Sequence, residues 1–474
     1  MTARAGRHRG ALVRAVPLFA AVVLAGCAVL QDYSRPALDL PASLRGQSAP
    51  GPSLATADWR TVFAEPAQQA LIESALAGNF DLKIVEARVR QAQAAVALAR
   101  SALSPSVGLG LATSPIARRP DERFSSTFLA AGLLRWEIDL WDRIGLRTQA
   151  AQGDLAATEA ARDGARVSLI AEVASRYEEL AALRAVRAVT EGSARLQADS
   201  LRLVRRRNQS GLVSSAEVRQ AEGQLASTEA RLPELRQQEA ALENALSMLT
   251  GRAPAAIATA NEPVGAATAQ SAPPEALPAG LPSELIDRRP DLRAAEQRLI
   301  AANARVGEAR ALMRPSLSLT GTFGRIGFAL DELFSSGSAT VASLGPNVSQ
   351  SLYDGGALEA NRAAALARMD EALLAYRQAA LNALREVADA LKAHEESGAQ
   401  RQRQVARVTA QREALRLANQ RYGAGVVSFL EVLDAQRQLL AAETDLLNAR
   451  LANRVAYVQV YRSLGGGWGP SVTR

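Results

Sequence analysis

Two stretches of the chain alternate apolar and polar side chains. In residues 316–323 the leucines and the phenylalanine fall on one face, and the serines and threonines fall on the other. Residues 126–140 repeat the pattern with Phe128, Ala130, Leu134, Trp136, Ile138 and Leu140 on one face, although Leu129 and Leu133 interrupt the polar face. This alternation predicts β-strands, either in a membrane barrel or in a half-buried soluble sheet.

Aromatic residues lie near the ends of these strands. Trp136, Trp141 and Tyr353 are found where the aromatic girdle of a membrane interface would be, so they favour the barrel. The strands, at about residues 105–140 and 315–353, number four per chain. Because about eight strands make the smallest membrane barrel and lipid excludes unpaired edges, the chain must oligomerise. A dimer would supply eight strands and a trimer twelve.

Long helical segments follow each pair of strands. Residues 355–422 contain no proline and predict a helix of about 65 residues, on the order of 100 Å long. Residues 142–208 match it in length but contain four glycines, so they predict either one helix or two stacked helices. Return helices are predicted at about residues 215–249 and 428–463. In the last of these helices, Val432, Leu439 and Leu446 recur every seven residues, and so do Leu433, Leu440 and Leu447. Repeats of this kind are typical of coiled-coil packing, here on two sides of the helix.

The chain contains an internal duplication. Residues 81–107 match residues 291–317 at an offset of 210, and Leu-Trp-Asp at 140–142 matches Leu-Tyr-Asp at 352–354 at 212. Residues 207–218 match residues 421–432 at 214. Because the matches keep their order, each half should fold into the same unit.

The duplication predicts the organisation of the whole chain. The repeats are residues 66–250 and 291–464, and a Pro- and Ala-rich linker at 251–290 joins them over the outside, in the equatorial region. The turns at 208–214 and 422–428 form the far tip of the helices. Residues 465–474 are a C-terminal tail.

The N-terminus has the pattern of an export signal. Residues 1–14 are basic, residues 15–26 are apolar, and Leu24-Ala25-Gly26-Cys27 resembles the bacterial lipobox. We therefore predict a signal peptide at 1–26, lipidation of Cys27 and a lipid-anchored extended segment at 27–65. Ala28 favours the outer membrane, since an aspartate there would indicate retention at the inner membrane. The alternative for Cys27, the one cysteine of the chain, is an ordinary buried thiol.

Composition argues against several other classes of protein. Without the four arginines of the leader, 51 basic residues (55 − 4 = 51) oppose 48 acidic ones, so no nucleic-acid partner is expected. One cysteine and two histidines are too few for a disulfide framework or a Cys/His zinc site. His394, in a glutamate-rich helical run, is expected at the surface. Without a catalytic motif, we expect neither an enzyme nor a cofactor beyond the covalent lipid on Cys27.

These features together resemble the TolC-like outer-membrane efflux protein family, most closely its lipoprotein branch, the OprM or NodT type. The resemblance rests on Cys27, on Pro-Ser at 105–106 and 315–316, on Asp-Leu-Trp-Asp at 139–142, and on residues 421–439 and 461–468. It implies a mixed α+β membrane protein, a homotrimer in which a 12-stranded β-barrel continues into a long periplasmic α-helical barrel. It also implies the outer membrane of a Gram-negative cell, a periplasmic membrane-fusion adaptor and an inner-membrane transporter of the resistance-nodulation-division (RND) type.

The resemblance assigns a periplasmic gate to the second repeat. Leu430, Asp434 and Arg437 match the gate of the family, and their spacing puts them on one helix face. A ring of Leu430 would dewet the pore, and a ring of Asp434 would select or bind cations. The plainer interpretation of Asp434 and Arg437 is a surface ion pair. The counterparts in the first repeat, Ala216, Gln220 and Gly223, cannot form such rings.

The two tip turns resemble the family's adaptor-contact loops. The matching positions are Gly211, Leu212 and Ser214 in the first repeat and Gly425, Val426 and Ser428 in the second. Glycine allows the backbone to reverse and a partner to approach closely. A simple turn between two helices would show the same glycine pattern. Contact with an adaptor is therefore a further expectation, which comes from the resemblance.

Three other functions are compatible with parts of the sequence. The chain could be the outer-membrane duct of a type I protein secretion system, but the lipobox and residues 421–439 favour small-molecule efflux. It could be a periplasmic coiled-coil scaffolding lipoprotein without a channel, but the alternation at 126–140 and 316–323 speaks against it. The third is an enzyme, but the sequence contains no nucleophile elbow, phosphate loop or metal cluster.

Overall fold

A computed structural model describes most of the chain. It covers residues 33–38, 41, 57–116, 125–257, 273–274, 277, 282–336 and 338–466. The predicted signal peptide, Cys27, most of the linker and nearly all of the C-terminal tail lie outside the described residues.

The predicted strands, long helices and return helices occur in the predicted order, once in each half of the chain. The first half of the chain contains helices α1 (Trp59–Val62), α2 (Pro66–Gly78) and α3 (Phe80–Ser101), strands β1 (Ser106–Ile116) and β2 (Ser125–Ile138), and helices α4 (Arg143–Gln209), α5 (Ser215–Glu229) and α6 (Arg231–Leu249). The second contains helices α7 (Pro282–Arg288) and α8 (Pro290–Ala311), strand β3 (Ser316–Gly327), a 3-10 turn (Asp331–Phe334), strand β4 (Ala339–Ser349), and helices α9 (Ala357–Gly423) and α10 (Phe429–Ser463).

The long helices are continuous. Helices α4 and α9 each contain 67 residues, so the glycines at 145–192 do not divide α4 into two stacked helices. The single return helix predicted at 215–249 is wrong, because it breaks at Ala230 into α5 and α6. Pro233 lies in the first turn of α6, where its missing N–H and its ring are tolerated, whereas in a continuous helix they would disrupt the preceding turn.

Two predictions about single segments need correction. The segment 27–65 is not extended throughout, because Trp59–Val62 form a helical turn in which the N–H of Arg60 donates to the side chain of Asp58. His394 is buried, with only 4% of its surface exposed, and its Nε2 lies 2.8 Å from the carbonyl oxygen of Pro274. The prediction of a surface histidine was wrong because the glutamates beside it lie on the exposed face of α9, and His394 lies on the other.

The strands form one antiparallel sheet in the order β1-β2-β3-β4. Trp136 pairs with Leu319, so the apolar faces predicted for the two strand regions are the same face of the sheet. Strand β2 ends at Ile138, and Leu140 therefore lies beyond it. Ser106 pairs with Arg135, and Ser316 pairs with Ser349, so the two hairpins are equivalent at offsets of 210 and 214.

The chain divides into two compact units. The first combines the described parts of Met1–Ala37, Arg88–Glu159 and Ala294–Arg377 and contains the sheet. The second combines the described parts of Leu38–Ala87, Ala160–Arg293 and Gln378–Arg474. Its largest hydrophobic cluster includes Trp59, Phe63, Ile72, Val173, Leu180, Leu246, Val458 and Tyr461. Each unit draws on both repeats.

Candidate functional site

The two tip turns have the same backbone geometry. Gly211 and Gly425 adopt φ angles of 74° and 75°, in the left-handed region that favours glycine. The N–H of Leu212 donates to the carbonyl of Arg207 at 2.9 Å, and the N–H of Val426 donates to that of Arg421 at 3.0 Å. Both are the six-to-one hydrogen bonds of a Schellman motif, which ends a helix and satisfies its last carbonyls.

The fold brings the two turns together at one end of the second unit. A shared hydrophobic cluster joins them, comprising Leu201, Val204, Ala221, Leu415, Ala418, Tyr422, Phe429, Val432, Leu433 and Ala435, with Val213 and Val427 packed against it. Leu212 and Val426 stay outside this cluster, with 73% and 68% of their surfaces exposed. The tip therefore presents two apolar side chains on turns that its own core holds in place.

An arginine of the first repeat contacts a tyrosine of the second at the tip. The guanidinium of Arg207 lies 4.7 Å from the ring centroid of Tyr422 and donates to its carbonyl oxygen at 3.3 Å. Burial raises the pKa of the Tyr422 phenol. Sequence reasoning missed this contact, because Arg207 appeared only as the repeat counterpart of Arg421, and Arg421 pairs instead with Glu431 at 2.7 Å.

A cluster of charged side chains links α4 and α5, the two helices that the first tip turn connects. Glu222 accepts hydrogen bonds from Arg205 at 2.8 Å and from Arg219 at 2.9 Å. These bonds lower the pKa of the Glu222 carboxyl below its ordinary value, so it stays ionised at neutral pH. The cluster therefore ties α4 to α5 on either side of the first turn.

The three predicted gate residues lie on the exposed face of α10 near the tip. Leu430 has 53% of its surface exposed, next to the buried Phe429. Arg437 donates to Asp434 at 3.0 Å, and both side chains are more than half exposed. The ion-pair interpretation is therefore confirmed within one chain, where such a pair contributes about 0.3 kcal/mol. The gate itself stays a prediction.

The sheet in the first unit has two chemically different faces. One face carries Val107, Leu109, Leu111, Phe128, Leu134, Trp136, Leu319, Phe323, Leu344 and Val348. The other carries Ser106, Thr127, Arg135, Glu137, Ser316, Ser318, Thr320, Thr322, Ser343, Asn347 and Ser349, with Leu129 and Leu133 among them. Leu109 and Phe323 are largely exposed, so the chain does not cover the apolar face by itself.

Two of the predicted interface aromatics are fixed by hydrogen bonds. The indole N–H of Trp136 donates to the carbonyl of Leu103 at 2.9 Å, and that of Trp141 donates to Pro315 at 2.7 Å. Tyr353 is almost fully exposed. These hydrogen bonds fix the orientations of the two indole rings, and the role of the three residues at a membrane interface stays a prediction.

The described ranges contain neither a candidate membrane-spanning helix nor a candidate metal site. None of the helices covered by the structure is both long enough and apolar enough to span a membrane. Within the same ranges, no three His, Cys, Asp or Glu side chains are grouped closely enough to bind a metal ion.

A family comparison identifies the chain. The family model for outer membrane efflux proteins matches residues 71–252 and 281–466, one segment for each repeat. The chain belongs to the outer membrane efflux protein family. This confirms the resemblance drawn from the sequence, and the family is one of efflux proteins and not of enzymes.

Relatives of this efflux protein are similar over their full length. It is 34% identical over 472 residues to the solvent efflux pump outer membrane protein SrpC of Pseudomonas putida, covering 97% of this chain and 99% of the relative. It is also 34% identical to the outer membrane protein OprJ of Pseudomonas aeruginosa over 464 residues, with 95% of both chains covered.

Solved structures share the fold of this efflux protein. A membrane protein from Pseudomonas aeruginosa superimposes with a TM-score of 0.85 at 31% identity, over 94% of this chain and 100% of that one. The open state of the MtrE outer membrane channel of Neisseria gonorrhoeae gives 0.82 at 28% identity, over 93% and 98%. The predicted mixed α+β fold is thereby confirmed for the single chain, which is mostly helical with one small sheet in the described residues.

Proposed function

We propose that this efflux protein forms, as a homotrimer, the outer-membrane exit duct of a tripartite pump that exports small molecules from a Gram-negative cell. The observation that carries the proposal is the match along almost the whole chain to a solvent efflux pump outer membrane protein. Other relatives named for pumps act on toluene and on antibiotics, which supports small organic molecules as the class of cargo. The duct is passive and performs no covalent chemistry.

The sheet supports oligomerisation by physical necessity, and the number of three copies comes from the family resemblance. Strands β1 and β4 are the edges of the four-stranded sheet in the described residues. In lipid each unpaired backbone group costs several kcal/mol, so these edges must pair. Three copies supply twelve strands and close a barrel, with the apolar face toward lipid and the serine- and threonine-rich face toward the lumen.

The anchoring of the chain is also part of the proposal. The lipobox residues end at Cys27, which would carry the lipid at the inner leaflet of the outer membrane. Tyr33 and Arg35, a few residues later, both donate to the carboxylate of Glu296 on α8, with Arg35 forming two bonds of 2.6 and 2.7 Å. This clamp fixes the start of the described chain to the first unit, within reach of the anchor.

The tip supports docking of a periplasmic membrane-fusion adaptor. The exposed Leu212 and Val426 give the adaptor an apolar contact, and glycines beside them leave the backbone accessible. The adaptor in turn connects the duct to an inner-membrane transporter of the RND type. Leu430, Asp434 and Arg437 would narrow the pore above this contact.

Deletion of the gene tests the proposal in the cell. The deletion strain should accumulate a fluorescent hydrophobic dye and become sensitive to toluene and to antibiotics, and the wild-type gene should restore export. A matched strain that carries only the chromosomal marker is the control. If the deletion strain exports the dye normally but no longer secretes a protein, the chain is the duct of a type I protein secretion system and not of an efflux pump.

A further inference from the structure

Arg401 interrupts the buried seam of helix α9. Every seventh residue from Val387 to Tyr422 lies on this seam, and all of these residues except Arg401 are buried. The set comprises Val387, His394, Arg401, Val408, Leu415 and Tyr422. The Nε of Arg401 is shielded from solvent, and within the described residues it has no hydrogen-bond partner. This donor therefore lacks the acceptor that buried polar groups normally have.

Contacts on both sides of Arg401 fix the register of α9 against α10. In one direction along α9, the amide of Asn453 donates to the hydroxyl of Ser397 at 3.2 Å. In the other direction, Arg407 donates to Asp445 at 2.7 Å. The two helices therefore run antiparallel through this stretch, and Arg401 lies between the two contacts.

Arg450 is the residue of α10 that this register places opposite Arg401. It lies three residues before Asn453, and Arg401 lies four residues after Ser397. Since residues three or four apart share one face of a helix, both arginines lie where the two helices meet. Both residues are partly buried.

The carboxylates along this stretch already pair with other cations. At distances of 2.5 to 3.0 Å, Lys392 binds Glu395 and Glu396, Arg416 binds Glu413, Arg412 binds Glu443, Arg407 binds Asp445, and Arg454 binds Glu178 of α4. In the part of the chain that the structure describes, Arg401 and Arg450 form no ion pair. The stretch thus holds two guanidinium groups without a counter-charge.

The surroundings of Arg450 are strongly positive. Burial, together with the charges of Arg401, Arg412 and Arg454, lowers the pKa of the Arg450 guanidinium below its ordinary value. Guanidinium groups that face each other repel, and each loses part of its hydration where the helices meet. A bound anion would reduce both costs.

We propose that Arg401 and Arg450 together bind one phosphate ion between α9 and α10. A guanidinium donates from a planar fork that matches two phosphate oxygens, so two forks can share the four oxygens of one phosphate. A carboxylate has only two oxygens and matches a single fork. The site goes beyond the proposed exit duct and does not depend on it.

The phosphate would join the two helices where their apolar packing is interrupted. Val387 clusters with Val460 on one side of the site, and Val408 clusters with Ala442 on the other. Between these clusters, Asn453 donates to the carbonyl of His394 and to Ser397, so polar contacts replace apolar ones. Bound phosphate should therefore stabilise the pairing of α9 with α10.

Thermal melts of the purified full-length protein test the site. Sodium phosphate, titrated against sodium chloride at constant ionic strength and neutral pH, should raise Tm by about 2 °C and then saturate. Phosphate also stabilises proteins through exclusion from their surfaces, but that effect does not saturate. The double variant Arg401→Gln with Arg450→Gln should lose the saturable rise. Arg385→Gln with Arg416→Gln, at two exposed arginines of α9, is the matched control and should keep it.

Chemical modification tests the same site in the unaltered chain. Phenylglyoxal reacts with guanidinium groups, and mass spectrometry of peptides reports which arginines it has modified. Phosphate should slow the modification of Arg401 and Arg450 several-fold and leave that of Arg416 unchanged. This measurement holds even where the glutamine variants fold poorly.

Three results would overturn the proposal. The first is a saturable rise in Tm of equal size in the two double variants. The second is modification of Arg401 and Arg450 at the same rate with and without phosphate. The third is an equal saturable rise with sodium acetate, which would replace phosphate with a carboxylate as the ligand. None of these readouts depends on conductance or on the number of chains, so failure here is distinct from failure of the exit duct.

Discussion

The side-chain amide of Asn79 donates a 3.0 Å hydrogen bond to the carbonyl oxygen of Leu249, at the end of the first return helix. Arg289, the equivalent of Asn79 at the offset of 210, donates at 2.6 Å to the carbonyl of Ser463, the equivalent of Leu249 at 214. Each bond ties the residue that precedes α3 or α8 to the end of a return helix, and both bonds lie in the second unit. The duplication is thus preserved in contacts made by different residue types.

We predict that Asn79→Ala lowers the free energy of unfolding by about 1 to 2 kcal/mol. The amide loses its bond to Leu249, and its oxygen no longer accepts the N–H of Leu82 at 2.9 Å, which caps α3. Chemical denaturation followed by far-UV circular dichroism measures the change. Asn448→Ala, at an exposed position of α10, is the control and should leave stability nearly unchanged. Equal effects of the two variants would contradict the assigned role.

The tip glycines should be needed for their backbone conformation. Gly211→Ala and Gly425→Ala force a Cβ into the left-handed region, so each should lower stability by about 1 kcal/mol. Gly223→Ala, at a helical position with open space around it, should instead raise stability by roughly 0.5 to 1 kcal/mol. Thermal melts of the three variants make the comparison. Stabilisation by all three would show that the turns carry no strain.

Replacement of the gate residues tests whether the ion pair also closes the pore. Asp434→Ala combined with Arg437→Ala should raise single-channel conductance if these residues form the predicted gate, because the variant removes the charges of the predicted ring. Arg385→Ala with Asp389→Ala, which removes an equally exposed ion pair on α9, should leave conductance unchanged. If the two double variants conduct like the wild type, Asp434 and Arg437 form only a surface ion pair.

Lipidation of Cys27 predicts one labelled site. Cells supplied with an azide-tagged fatty acid should label the wild-type protein, and Cys27→Ser should abolish the label because no other cysteine exists. The variant should also keep its signal peptide, which a slower gel band would report. Labelling that persists in Cys27→Ser would refute the lipobox.

The sequence predicts local elements well where periodicity and proline define them. The strand starts at Ser106 and Ser316 follow the prolines at 105 and 315, and the alternating faces of β2 and β3 join through the pair of Trp136 and Leu319. The broken return helix shows the limit, because Pro233 is compatible both with a kinked helix and with the first turn of a new one.

Contacts between distant segments could not be read from the sequence. Arg207 and Tyr422 are 215 residues apart, and only the packing of the two tips brings them together. His394 lies in a charged run, yet the part of α9 on which it lies is covered by residues that include Pro274 and Tyr457. Burial of a helix position depends on what packs against it, which periodicity alone does not reveal.

The mass and conductance of the purified full-length protein test the exit duct most directly. In detergent the protein should have the mass of three chains, and in planar lipid bilayers it should form ion-conducting channels. A trimer that conducts is the result expected of twelve strands closing one barrel. A monomer without conductance would contradict the account, because four strands with free edges cannot form a pore in lipid.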